Sequence, residues 1–335
     1  MFIFLIIYIF SRLMIHLFCA ALYIYNDVLI GGASFVSIKI TFRSNLPPVL
    51  QTQPMTSEPE LPDYAGSSNK KTEEIITELD SLIGLESVKK LIHELYAFVE
   101  ICKRREKEKL NTEPLVLHTV FSGNPGTGKT TVARLIGRLF KEMGVLPKGH
   151  IIECERADLV GEYVGHTANK TRELVKKALG GILFIDEAYS LARGGEKDFG
   201  KEAIDALVKA MEDHKDNLIL ILAGYKVEMD AFIKTNPGLR SRFPLHIDFP
   251  DYSLDELMSI GEQMLTDRQY TFSPQAKIVF RRNLQDMNDM QPYSGNARMV
   301  RNFVEKAVRR QAVRLYRQAN LSREDLMCIK EVDLS

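Results

Sequence analysis

Apolar positions change period several times along the chain, and each change predicts an element. Ile75, Ile76, Leu79, Leu82 and Ile83 recur at helical spacing, as do Val88, Leu91, Ile92, Leu95 and Val99. Residues 71–110 therefore read as helices, with Gly84 breaking the first pattern. Leu115 to Phe121 is a short continuous apolar run, as a buried strand requires. A helical pattern follows it, with Val132, Ala133, Leu135, Ile136 and Leu139 apolar. His150 to Cys154 reads as a second strand and Ala168 to Leu179 as a helix. Gly181 to Asp186 (GILFID), Leu218 to Ala223 (LILILA) and Leu245 to Phe249 (LHIDF) are further strand-like runs. Between the first two of these, Lys201 to His214 is helical, with Ile204, Leu207, Val208 and Met211 on one face. Strand alternates with helix throughout, which predicts a five-stranded parallel sheet covered by helices on both faces, an α/β fold. From Ser253 on only helical patterns appear, so a small all-helical domain is expected beyond Pro250-Asp251-Tyr252.

The first 54 residues stand apart. Met1 to Tyr25 is apolar enough, and long enough, for one membrane helix of about 20 residues. Arg12 falls in its middle, at a cost of about 2.5–3.5 kcal/mol for insertion. No basic segment precedes the apolar run, so a cleaved signal peptide fits poorly. Two readings compete: a membrane anchor for a cytoplasmic body, or a natural start at Met55 with residues 1–54 an overextended reading frame. The second is favoured, because Met55 opens an ordinary hydrophilic N-terminus. The expected organisation is residues 1–54 as this apolar segment, 55–71 as linker, 72–252 as the α/β domain and 253–335 as the helical domain.

Composition narrows the chemistry. Lys plus Arg and Asp plus Glu both total 44, so no global basic field argues for nucleic acid. The run KRREKEK (103–109) reads as a solvated helix end. Cys19, Cys102, Cys154 and Cys328 lack metal-site spacing and read as free thiols of a reducing compartment.

The chemistry lies where strand turns to helix. Gly123, Asn124, Pro125, Gly126, Thr127, Gly128, Lys129 and Thr130 form G-x-x-x-x-G-K-[ST], followed by Thr131. In that context glycines turn backbone N–H groups toward a polyphosphate, and the helix N-terminus adds partial positive charge. Lys129 would reach the β- and γ-phosphates, and the Thr130 hydroxyl would sit on Mg²⁺. The GILFID strand ends in Asp186-Glu187, a Walker B pattern. Asp186 would hold the Mg²⁺ shell and Glu187 would polarise the attacking water.

With these placed, the chain resembles the AAA+ ATPases, and within them the CbbX branch, which holds rubisco activases and a sporulation protein. ERADLVGEYVGHTANKT (155–171), FIDEAYSLARGGEKDFGKEAID (184–205), LAGYKVEMDAF (222–232), NPGLRSRF (236–243) and IDFPDYS (247–253) carry the resemblance, which spans roughly residues 75–335. It implies a homo-oligomer, a hexameric ring, that hydrolyses Mg-ATP to remodel a protein client, with no nucleic acid partner and a membrane only if residues 1–25 are an anchor. A sporulation client is favoured; rubisco activation, or a slow nucleotide switch, is the alternative. Arg240 and Arg242 occupy the arginine-finger region, with Arg242 favoured. Arg298, in Gly295-Asn296-Ala297-Arg298, matches the sensor 2 position that contacts the γ-phosphate in cis. Tyr163-Val164-Gly165 matches the pore loop that grips substrate polypeptide, against the alternative of a buried tyrosine in a turn. Arg193 to Lys197 would be a second pore-facing loop. Ile83 and Gly84 match the region that packs around adenine. The sensor 1 position, usually Asn or Thr, is here filled by Ala223-Gly224-Tyr225 and is left open. Arg310, Arg314 and Arg317 share one face of a helix expected over 298–319, read as solvated or as a subunit contact.

Overall fold

A computed structural model describes residues 70–112, 116–163, 165–194, 198–290, 295–316, 318 and 320–334. The apolar segment 1–54, nearly all of the 55–71 linker, Val164, residues 195–197 and Arg317 lie outside the described residues.

Two helices come first, α1 (Lys70–Asp80) and α2 (Glu86–Lys107). The alternating body then runs β1 (Thr119–Gly123), α3 (Lys129–Glu142), β2 (Ile151–Cys154), α4 (Arg156–Leu159), α5 (His166–Ala178) and β3 (Ile182–Ile185). A 3₁₀ turn (Ala188–Ala192) leads to α6 (Gly200–Asp213), β4 (Ile219–Gly224), α7 (Lys226–Thr235), α8 (Pro237–Arg242) and β5 (Leu245–Phe249). The five strands are parallel in the order β2-β3-β4-β1-β5.

Strand alternation assigns the two faces of the sheet. Phe121, Ile182, Phe184, Ile219, Ile221, Ile247 and Phe249 join α1, α2 and α3 in one core. Val120, Leu183, Ile185, Leu220 and Leu222 join residues of α5, α6, α7 and α8 in the other. Both faces are therefore dry, which is why these strands read as continuous apolar runs rather than as alternating ones. The first strand begins four residues later than the apolar run does. His118 marks the shift: just before β1 its Nδ1 accepts the Leu220 N–H at 3.0 Å, so a side chain takes a donor of β4 there, and Thr119 Oγ1 donates to the Leu117 carbonyl at 2.8 Å.

The C-terminal part holds α9 (Leu254–Thr266), α10 (Pro274–Met290), α11 (Asn296–Tyr316) and α12 (Arg323–Met327) around its own core of Leu257, Phe280, Leu284, Val300 and Val304. Ser253 caps α9 with a capping box to Glu256. Two features correct the expectation of helices alone. Strands β6 (Thr271–Phe272) and β7 (Cys328–Ile329) pair in parallel; at two residues each they have no period to detect. The arginine face of α11 is also not simply solvated. Arg314 donates to both carboxylate oxygens of Asp333, at 2.9 and 2.8 Å, because the C-terminal segment folds back onto the helix. Among the described residues no helix is long and apolar enough to cross a membrane.

Candidate functional site

The loop from Gly123 to Gly128 lies at the C-terminal edge of the sheet, between β1 and α3. Gly128 has φ +96° and Gly126 φ +75°, backbone that a side chain would strain. A Cβ at Gly126 would also lie 2.3 Å from the Gly295 carbonyl, so the loop and the start of α11 touch through backbone. Lys129 opens α3, and its Nζ donates to the carbonyls of Gly123 and Asn124, both at 2.8 Å. Burial pushes the Lys129 ammonium pKa down; Asp186 and Asp251 oppose this and Arg298 adds to it. Thr127 is fully buried and donates to the Asn124 carbonyl at 2.8 Å.

The second half of the site comes from β3. Its four residues are buried, and its end delivers Asp186 and Glu187 exposed beside the loop. The Asp186 N–H donates to the Cys154 carbonyl at 2.9 Å, fixing β3 to β2. Glu187 has φ +46°, a left-handed backbone unusual for a side chain of this size, and its N–H donates to Asp186 Oδ1 at 3.0 Å. Burial, then the Glu187 carboxylate, pushes the neighbouring Tyr189 phenol up to about 12. The Arg193 guanidinium stacks 4.6 Å from the centre of the Tyr189 ring.

A cleft of about 310 Å³ gathers these groups. Gly123, Pro125, Gly126, Gly128, Lys129, Thr130, Thr131, Asp186, Glu187 and Arg298 all line it. So do Gly224, Tyr225, Ala297 and Arg301. Arg301 escaped the sequence reading; one helical turn beyond Arg298 on the same helix, it was within reach of a spacing argument. Tyr225, left open as sensor 1, is at the cleft.

Other predicted residues lie elsewhere. Asn124 turns its amide to Asp251, donating to both carboxylate oxygens at 3.0 and 2.8 Å. Ile83 packs against the C-terminal core, and Gly84 (φ +65°) faces Glu256 and Tyr252; neither lines the cleft. Arg242 is bound inside its own chain, to the Glu212 carboxylate and the Gly238 carbonyl. Arg240, on the same short helix, is exposed. Tyr163 is 65% exposed, its ring meets the His166 ring edge-on at 5.4 Å and its carbonyl accepts the His166 N–H at 3.1 Å, so it is no buried turn residue. Gly165 follows it with φ +79°, capping α5.

The least legible part is the junction with the C-terminal domain. Asn296, 5% exposed with φ +42°, donates to Asp251 at 2.7 Å and to the Pro125 carbonyl at 3.3 Å, and accepts the Tyr252 N–H at 3.0 Å. The Ala297 N–H donates to the Gly126 carbonyl at 3.2 Å. Asp251 thereby holds the phosphate loop through Asn124 and the lid helix through Asn296. Tyr252 adds a bond from its hydroxyl to the Thr127 carbonyl at 3.3 Å.

Comparison with known proteins agrees with this fold. A model of the ATPase family associated with various cellular activities (AAA) matches residues 119–251, and an AAA lid domain model matches 253–335. The chain belongs to the AAA ATPases. It is 57% identical to stage V sporulation protein K of Bacillus subtilis over 264 residues, 78% of this chain and 82% of that one. It is 47% identical to protein CbbX of Cereibacter sphaeroides over 256 residues, 76% and 82% of the two chains. The chloroplastic ribulose bisphosphate carboxylase/oxygenase activase of Cyanidioschyzon merolae is 45% identical over 266 residues, 78% and 90%. In fold it is similar to the Thermotoga maritima RuvB Holliday junction branch migration motor, with a TM-score of 0.51 at 21% identity, covering 76% of this chain and 69% of that one. As an AAA ATPase it is an ATP-hydrolysing enzyme, and its P-loop and lid are those described above.

Proposed function

We propose that this ATPase works as a hexameric ring in the cytoplasm, where Mg-ATP hydrolysis drives remodelling of a protein client in sporulation. One observation carries the catalytic half of the reading: Lys129, Thr130, Asp186, Glu187 and Arg298 line a single cleft. Thr130 and Asp186 offer the oxygen ligands a hard divalent cation takes, so the cleft suits Mg²⁺, which would neutralise phosphate charge. Lys129 exchanges its two loop carbonyls for phosphate oxygens. Glu187 orients the attacking water and accepts its proton. Arg298, at the start of α11, links the phosphate end of the cleft to the lid. Ile83 and Gly84 lie outside this cleft beside Tyr252, so an adenine reaching them would extend past the cleft lining.

Arg242 is the candidate finger toward a neighbouring subunit's cleft, and it must first leave Glu212; Arg240 on the same helix is the rival. The exposed Tyr163, with Val164 and Gly165, would grip an extended polypeptide through non-directional apolar contact. Sporulation is favoured over rubisco activation by the 57% identity against 45–47%. Glu187 argues against a slow switch, which has no use for a water-orienting carboxylate.

The test is a client trap. Full-length Glu187→Gln chain, loaded with ATP in lysate from sporulating cells, should retain a protein client that wild type releases. Capture of ribulose bisphosphate carboxylase instead would move the reading to activation. Rapid ATP turnover by Glu187→Gln would remove Glu187 from its assigned role.

A further inference from the structure

Arg156 lies outside the phosphate cleft, yet its guanidinium joins two segments that leave the sheet next to that cleft. It opens α4 directly after β2. Its Nη1 donates to the Ser190 carbonyl at 2.6 Å, in the 3₁₀ turn that immediately follows Asp186-Glu187. Its Nη2 donates to Asp198 Oδ1 at 2.6 Å. The same Asp198 oxygen accepts the Gly200 N–H at 3.1 Å, at the start of α6. Gly200 is required for this fit: a Cβ there would lie 2.1 Å from the Leu191 carbonyl and 3.0 Å from Arg156 Nη1. The Asp198 side chain is 11% exposed and that of Arg156 33%, so this is not a freely solvated surface pair. The Arg156 hydrogen bond holds the Asp198 carboxyl below the usual carboxylate range.

On its other side Arg156 sits at the root of the Tyr163 loop, and that root is stiff. The Val160 N–H donates to the Arg156 carbonyl at 2.9 Å. Thr171 Oγ1 holds the Leu159 carbonyl at 3.2 Å, and Thr167 Oγ1 accepts the Gly161 N–H at 3.0 Å. Lys170 donates to the Ala157 carbonyl at 2.7 Å. These bonds join residues 156–161 to one another and to α5, so α4 and the root of the Tyr163 loop would move as one unit. At the other end Glu187 holds a left-handed backbone (φ +46°) three residues before Ser190, an outlier of the kind that collects at switch segments.

We propose that Arg156 is a positioning residue that couples the Asp186-Glu187 segment to the exposed Tyr163 loop, so that the nucleotide in the cleft sets the position of Tyr163. The planar fork of arginine suits this, since it can hold a carbonyl of one segment and a carboxylate of another in fixed directions. The inference rests on the ATPase site proposed above and adds the route by which that site reaches the loop.

The chain contains no tryptophan, so Tyr163→Trp in the full-length protein gives a single reporter on the loop. With the reporter, ATP and Mg²⁺ should shift the emission of residue 163, and ADP should give a different level. Adding Arg156→Ala should leave ATP affinity unchanged, lower thermal melting by a few degrees because Asp198 loses its partner, and abolish the emission shift. Asp198→Asn should lose most of it, and Arg156→Lys, which keeps the charge without the fork, should keep a fraction. A full shift in Arg156→Ala overturns the coupling, and so does a reporter that binds ATP without any shift. A reporter chain that fails to bind ATP strikes the site reading itself, and is recognised by its titration before any emission is compared.

Discussion

Lys129, Asp186, Glu187 and Arg298 meet in one cleft of one chain, while Arg240 and Arg242 stand on α8 outside its lining. The two regions are built differently. The phosphate loop is fixed by backbone and buried side chains: Thr127 inside, Asn124 on Asp251, Gly126 against Gly295. The α8 tip carries one arginine tied by Glu212 and one exposed. On the proposed function, the nucleotide-binding groups of the cleft come from one subunit, and an arginine finger on α8 would serve a neighbour's cleft. On that proposal the contrast would leave binding to one chain and full turnover to an assembly.

The largest effect should come from the self-contained side. Lys129→Ala should abolish ATP binding in calorimetric titration; affinity within about tenfold of wild type, roughly 1.4 kcal/mol, would break the contrast at its root. Next is Arg242→Ala, which should keep ATP affinity and lose turnover by about 10³ or more, the scale of a missing finger. Mixing it with the Lys129→Ala chain should restore part of the activity, because each supplies what the other lacks. Arg240→Ala run in parallel decides between the two arginines, and undiminished turnover by both variants would remove α8 from the reaction.

A third prediction tests the seat of α8. His118 is buried, and its ring lies 5.9 Å from that of Phe243, the residue that ends the helix. Burial lowers its pKa to about 4, and its Nδ1 must stay unprotonated to accept the Leu220 N–H. The unfolded chain takes up that proton near 6.5 and the folded chain only near 4. Stability is thus complete above pH 6.5 and falls as the pH drops toward 4, by roughly 3 kcal/mol at most. Denaturant melts across that range should show the slope, and His118→Gln, which keeps an acceptor without the titration, should flatten it.

The smallest effect concerns the junction. Asp251→Ala leaves the amides of Asn124 and Asn296 without their carboxylate, and bonds to a charged group are worth about 1.5–3 kcal/mol each. Much of that cost should be recovered by water, leaving a loss of about tenfold in ATP affinity, with faster hydrogen exchange at residues 295–300. Unchanged exchange there would show that the lid does not depend on Asp251.

The sequence disclosed what is local. The sheet follows from strand periods, and the loop and Asp186-Glu187 follow from spacing, because each is written in consecutive residues. His118 was hidden inside an apolar run, and its bond to Leu220 spans 102 positions. Asp251 and Asn296 each lay in a noted stretch, yet nothing local says that they bond to one another 45 residues apart. Arg314 reads from its own helix as solvated or as a subunit contact, because its partner, Asp333, lies beyond that helix. Pairings across elements are what periodicity omits, and the lid junction consists of them.

Asp251 lies within the stretch matched by the AAA ATPase model, which ends there, whereas its partner Asn296 lies within the lid. A chimera that grafts a foreign lid after this residue would divide the pair, inheriting the carboxylate from one parent and its amide from the other. A lid exchange therefore keeps this junction only where positions 124, 251 and 296 stay matched across the seam, so that triplet, rather than the boundary between the two domains, sets what this ATPase can recombine.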